Sequence, residues 1–424
     1  MKKANILGAL FVLCLVICAW GYFTDSELDP EFQRWIEQER EQPPEADNAF
    51  FYFMGIGIPE GLDPVEAGKT AYRKVQTGES DYMDTEDALE LPSEKHLTGL
   101  LNIEILPERL ADIDSISELL SEYGEVLARY KKLMEYPDFS TLTRPSIEES
   151  FPPYNYMLIG QQLNQLQAIE NIAAGQLDRG VKILLDDLAN HRRILIRADT
   201  LISKLIAVKA ITRNVKLLHG LGKLTEIEIE SHQGFLALIA PLTEEERDFS
   251  KAYQREAILG RNTFLDLAAT PLWGEPKQKG WSLSEAITMR LFFKPNHASN
   301  MAIKQWRYFL EVSSLSAQDF YRTISDSKPD FSPGIWDDFY NPVGSVLSSV
   351  SSPSMDKYPA RIHDLDCLFG LVRASLKSKN IEQIAQQKET NPYDGGAILI
   401  ENGVARFNGP FDEHQGGRSL RVAW

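Results

Sequence analysis

Between Leu158 and Ala173 the apolar positions fall at Leu158, Ile159, Leu163, Leu166, Ile169, Ile172 and Ala173. That is the three-, four- and seven-residue spacing of one helix face. Gln161, Gln162, Asn164, Gln165 and Glu170 fill most of the other positions, so the pattern predicts an apolar face and a polar one. Gly175 interrupts the tract and Asp178 can cap a new start. A second helix then carries Val181, Ile183, Leu184, Leu185 and Leu188. A third begins near Asp199, runs through Leu201, Leu205, Val208, Ile211, Val215 and Leu218, and closes at His219-Gly220. Connections this short force neighbouring helices to pack antiparallel.

The same periodicity predicts an amphipathic helix over Leu106 to Met134 and a helix over Met355 to Leu376. Thr243-Glu244-Glu245-Glu246 is a capping box opening a helix to about Leu267, and Ser282-Leu283-Ser284-Glu285 is a second. A turn at Lys294-Pro295-Asn296-His297 leads into a helix over Ala298 to Val312. Residues 325 to 353 read as loop-rich. Asn48 to Ile58 is aromatic and apolar, a buried segment docking the N-terminal part onto the body. Near the C-terminus the period changes. Ile398 to Glu401 and Val404 to Phe407 flank Asn402-Gly403, the strongest short hairpin signal, and Ser419 to Trp424 can add a third strand. The run from Ala174 to Leu185 resembles the middle of a tetratricopeptide hairpin, in which a small residue after the turn lets two helices approach closely; Gly180 stands where that repeat has Ala, and no second copy follows in register.

The expected fold is therefore mainly α: an N-terminal transmembrane helix, then antiparallel helical hairpins, partly tetratricopeptide-like, closed by a small C-terminal antiparallel sheet. The units expected are an anchor or signal segment over 1–23, a linker over 24–47, a helical body over 48–324 and an α+β subdomain over 325–424.

The anchor rests on Met1-Lys2-Lys3 followed by an uncharged run from Ile6 to Phe23. About 18 residues at ~1.5 Å each just cross a hydrocarbon core of ~30 Å. Lysines before the run and Asp25, Glu27, Asp29 and Glu31 after it orient the body outward, and Trp20, Tyr22 and Phe23 read as an interfacial belt. A signal peptide cleaved near Ala19-Trp20-Gly21 is the rival reading. Ile17 before Cys18 argues against a lipoprotein box.

The 424 residues are 43% apolar and 25% charged, ordinary globular values, with a net charge of −17. Phosphate contacts need clustered Lys and Arg, so this acidity argues against nucleic acid as a partner. Of three cysteines only Cys367 lies outside the N-terminal run, which excludes a disulfide framework or CxxC site in the body. Gly68-Lys69-Thr70 lacks the earlier glycine of a phosphate loop. Asp63-Pro64 is instead a helix N-cap and first residue, so no nucleotide and no cofactor is expected.

Two clusters carry candidate chemistry. Arg361, His363, Asp364 and Asp366 share one helix, with His363 and Asp366 three apart on one face. A His with a nearby carboxylate can act as a general base. The same residues also read as a helix surface or a salt-bridge network. No HExxH or HxH completes a metal set, so no metal is expected. Asn296, His297 and Asn300 sit at a helix start, whose N–H groups can hold an anion or serve only as turn and cap.

The order of features — the N-terminal anchor, the aromatic segment from Asn48 to Gly61, Phe293-Lys294-Pro295-Asn296, Asn341-Pro342-Val343-Gly344 and the His-Asp helix — is similar to an uncharacterised family of membrane-anchored exported proteins of Gram-negative bacteria. The resemblance implies a bacterial inner-membrane location with the body in the periplasm, and no activity. The function expected is a membrane-tethered helical scaffold or binding module for an envelope protein or glycan. The alternative is an exported hydrolase acting on envelope polymer or lipid through carboxylates and His363.

Overall fold

The computed structural model describes residues 24–39, 45–77, 88–102, 113–224, 234–269, 289, 292–326, 329–350, 355, 357–411 and 421–423. The expected span over 6–23 and the second capping box lie outside these residues. Among the described residues no helix is long and apolar enough to cross a membrane.

The chain opens with α1 (Pro30–Glu39), α2 (Phe50–Met54) and α3 (Pro64–Thr77). Asp63 caps α3 as its residue type demands, accepting from Val65 N at 2.9 Å, with Pro64 in the first position. Gly68 has a packing role: a Cβ there would lie 1.9 Å from the Phe51 carbonyl oxygen, so its bareness lets α3 cross α2.

Two helices, α4 (Glu94–Leu100) and α5 (Ile113–Glu122), precede α6 (Gly124–Glu135). The single helix expected up to Met134 is therefore broken where Tyr123 leaves helical geometry ahead of Gly124, the poorest helix former in the run except proline. The central tract forms as the spacing requires: α7 (Tyr154–Ala173), α8 (Leu177–Arg197) and α9 (Leu201–Leu224). α8 packs closely on α7 where Gly180 is bare: a Cβ there would sit 2.5 Å from the Ala168 carbonyl oxygen.

After α10 (Phe235–Leu238), the Thr243 box caps only the single turn α11 (Glu244–Arg247). Asp248 is extended, and the long helix restarts as α12 (Ser250–Ala268). Then come α13 (Pro295–Ser313) and α14 (Ala317–Ser325). The stretch expected to be loop instead forms α15 (Ile335–Tyr340) and α16 (Pro342–Val350). Pro342 can start a helix, and the buried Asn341 side chain organises the junction. It accepts from Gly344 N at 3.1 Å and Lys294 N at 3.0 Å and donates to Lys294 O at 2.8 Å.

The chain closes with α17 (Lys357–Leu376), α18 (Ile381–Ile384) and an antiparallel sheet of β1 (Leu399–Glu401), β2 (Val404–Arg406) and β3 (Arg421–Ala423) in that order. Glu401 pairs with Val404 across Asn402-Gly403, whose φ values of 50° and 75° are those of the expected hairpin turn. One hydrophobic core runs from Ala49 to Val422: α7 packs on α6 and α8, α8 on α9, α9 on α17, and α17 on β3. Cys367 is buried in it.

A second apolar cluster explains how the N-terminal segment docks. Leu28, Phe32 and Trp35 bury against Ala257, Ile258 and Ile303 of α12 and α13. At about 1.5–3 kcal/mol per buried side chain this outweighs the polar contacts beside it. Those contacts are nonetheless specific, and they occupy the helix start proposed for an anion. The Asp25 carboxylate accepts from Asn296 N at 2.8 Å and His297 N at 3.1 Å. Asn300 accepts from Asp29 N at 2.9 Å and donates to Glu27 O at 2.7 Å. The anion held at this helix terminus is thus the chain's own.

Candidate functional site

The polar face read onto α7 is largely not on the surface. Gln161, Gln162, Asn164 and Gln165 are buried; α8 and α9 present polar partners to Gln161, Asn164 and Gln165, and Gln162 donates to Thr98 of α4 at 3.0 Å. Asp187 of α8 is the centre. Its Oδ1 accepts from Tyr130 Oη at 2.5 Å and Asn164 Nδ2 at 3.2 Å; its Oδ2 accepts from Asn214 Nδ2 at 2.6 Å and Gln161 Nε2 at 3.3 Å. Gln165 braces Asn214 with a 2.7 Å bond. His191 Nε2 lies 2.9 Å from the Tyr130 hydroxyl oxygen. The Tyr130 proton points at Asp187, so Nε2 is assigned as the donor. Burial raises the Tyr130 hydroxyl well above its ordinary value and lowers His191, keeping both neutral. A carboxylate ringed by neutral donors is a structural lock rather than a proton-transfer device.

The His-Asp helix is also inside. His363 is buried against Phe320 and Tyr393, with ring centroids 5.1 and 6.0 Å away, and neither ring nitrogen has a hydrogen-bond partner among the described residues. Burial, aided by the Arg247 charge, pushes its pKa down to about 3. Asp364 accepts from Tyr393 Oη at 2.7 Å. Asp366 accepts from Leu242 N at 2.7 Å, lies 3.6 Å from Arg247 and is raised to about 6 by burial. Arg361 is exposed. Among the described residues, no carboxylate is hydrogen-bonded to His363.

An open polar concavity lies elsewhere among the described residues, where α1 meets α12 and the segment between α6 and α7. A cleft of about 370 Å³ is lined by Ile36, Glu39, Thr143, Arg144, Pro145, Ile258, Arg261 and Asn262. Behind two of its lining residues, Glu39 and Thr143, the buried Arg255 donates to Glu39 and to Glu149, and to Thr143 O at 2.9 Å. Burial works to lower the Arg255 guanidinium, but the charges of Glu149, Asp199 and Glu39 outweigh it and hold it above its ordinary value. Asp199 is fixed by Thr141, accepting from its N at 2.7 Å and its Oγ1 at 2.9 Å. Burial pushes the Glu39 carboxyl up to about 7. Arg255 pulls it down, while Asp199 and Glu149 push it further up. Asn262 donates to Pro145 O at 2.7 Å and accepts from the exposed Arg144 at 3.2 Å, which presets both side chains at the rim.

These residues come from three distant stretches and carry no motif, so sequence spacing could not assemble them. The one advance signal is Thr141 to Glu149, a polar, proline-bracketed segment between two strongly periodic helices. Among the described residues, no group of three or more His, Cys, Asp or Glu side chains is placed to hold a metal ion. No family model, curated protein or solved structure matches the chain.

Proposed function

We propose that the protein is a membrane-tethered helical binding module of the bacterial envelope, held in the inner membrane by residues 6–23, with its body in the periplasm and a glycan ligand in the Arg144–Glu39 cleft. The cleft is the observation that carries this reading. Its volume of about 370 Å³ is of the size that takes one or two sugar rings. Ile36, Pro145 and Ile258 offer an apolar wall for the C–H face of a ring. Asn262 and Glu39 can bond hydroxyls, and the Arg144 guanidinium suits a carboxylate on an acidic sugar or its peptide branch.

The test is co-sedimentation of the full-length protein, in mild detergent, with purified cell-wall sacculi. The wild type is expected in the pellet and Arg144→Ala in the supernatant. Equal partition of both would overturn the assignment of the cleft.

A second reading rests on Glu39. A carboxyl poised near 7 in an open cleft has the value a general acid needs, which favours an exported hydrolase acting on the same polymer. Glu149 and Asp199 stand behind Arg255 rather than on the cleft wall, so Glu39 is the only carboxyl lining it among the described residues, and binding is the better supported function. Soluble fragments appearing with the wild type but not with Glu39→Gln would reverse that order.

A further inference from the structure

We infer that the exposed face of α15 lies against the lipid headgroup layer and fixes how the body stands on the membrane. Ile335 is 90% exposed, Trp336 70% and Phe339 60%, the largest such group of neighbouring apolar side chains among the described residues. At 3.6 residues per turn these three fall within an arc of about 100°, and Asp337 and Asp338 fall on the opposite side. Asp337 is turned inward, 3.3 Å from His297 Nε2. The helix is thus amphipathic, and its apolar side faces out. Exposed apolar faces of this kind mark an interaction surface.

The position of the chain's N-terminal segment names the occupant. Tyr340 of the same helix donates from its hydroxyl to Thr24 O at 2.5 Å, and the next residue, Asp25, is tied to the start of α13. Residue 24 directly follows the uncharged run that ends at Phe23. This inference rests on the tethering proposed above: a span ending at Phe23 puts Thr24 at the membrane surface. A helix bonded to Thr24 is then within about one helix diameter, ~10 Å, of a headgroup layer some 5–7 Å deep. Trp is enriched in that layer, and Trp and Phe form the inserted face of helices that lie in it. The segment from 335 to 340 contains no Lys or Arg, so apolar insertion rather than attraction to anionic lipid drives the contact.

The experiment uses the full chain in vesicles of phosphatidylethanolamine and phosphatidylglycerol, with p-benzoylphenylalanine replacing Trp336, Phe339 or, as a control, the exposed Leu62. Alkaline extraction reads the tether, and mass spectrometry after illumination reads the crosslinked partner. The inference expects alkali-resistant protein with phospholipid adducts at 336 and 339 and none at 62. Alkali-resistant protein without lipid adducts at 336 and 339 overturns the inference and leaves the tether standing. Adducts to residues 1–23 or to a second copy overturn it likewise, as does equal lipid capture at 62. Protein extracted by alkali overturns the tether, and the inference with it. Circular dichroism of each variant excludes loss of fold as the cause.

Discussion

The hydroxyl of Tyr130 donates to Asp187 Oδ1 at 2.5 Å, joining α6 to α8 through two buried side chains. Asn164 and Gln161 of α7 and Asn214 of α9 donate to the same carboxylate, so one side chain ties four helices. Removing it leaves several buried donors unpaired, and each such loss costs about 1–3 kcal/mol. Asp187→Ala is expected to lose about 3 kcal/mol or more in urea unfolding. Asp187→Asn, which keeps one acceptor, should lose less. A variant as stable as the wild type would remove the structural role assigned to the cluster.

His363 should act on stability alone. Its folded pKa, about 3, lies below the ordinary value of 6.5, so the folded protein holds it neutral while the unfolded chain binds a proton. Its contribution is present above about pH 6.5 and is lost as pH falls towards 3. His363→Phe, packed between Phe320 and Tyr393, escapes this penalty. It should gain on the order of 2 kcal/mol over the wild type at about pH 5 and little at neutral pH, with glycan binding unchanged. Loss of binding in this variant would restore His363 to the site.

Glu39 has the opposite sign. Its carboxyl, raised to about 7 from 4.5, favours folding while protonated, and that contribution is lost as pH rises through this window. Relative to the wild type, Glu39→Gln should gain stability as pH rises from about 4.5 to 7, by of the order of 2 kcal/mol allowing for partial exposure. Parallel stability–pH curves would contradict the poised carboxyl.

Much of the scaffold was legible because its signals are local. The 3.6-residue spacing from Leu158 to Leu218 gives α7, α8 and α9, and Asn402-Gly403 gives the hairpin. The misreadings arise where distant residues decide. Gln161 and Asn164 look like a wet face until Asp187, more than twenty positions on, is packed against them. The segment from 325 to 353 is rich in Pro, Gly and Ser, residues that mark loops, yet Asn341 contacts to Lys294 stabilise the start of α16. The cleft joins 36–39, 143–145 and 258–262, a set that no periodicity relates.

Asn300 adds to the apolar docking of the N-terminal segment by bonding Asp29 N and Glu27 O. Asn300→Ala should cost about 1–2 kcal/mol locally and speed amide exchange over residues 27–33, with the Asp187 region unchanged. Unaltered exchange would show that burial of Phe32 and Trp35 is sufficient by itself.

The binding cleft is tested most directly by calorimetric titration of the full-length protein with soluble acidic fragments of the cell-wall glycan, comparing wild type with Arg144→Ala. Arg144 is exposed, so its removal should leave the unfolding temperature in place. Saturable binding at one site, weakened at least about tenfold (about 1.4 kcal/mol) in the variant, is the expected result. Absence of saturable binding, or equal affinity in both proteins, would contradict a glycan site between Arg144 and Glu39.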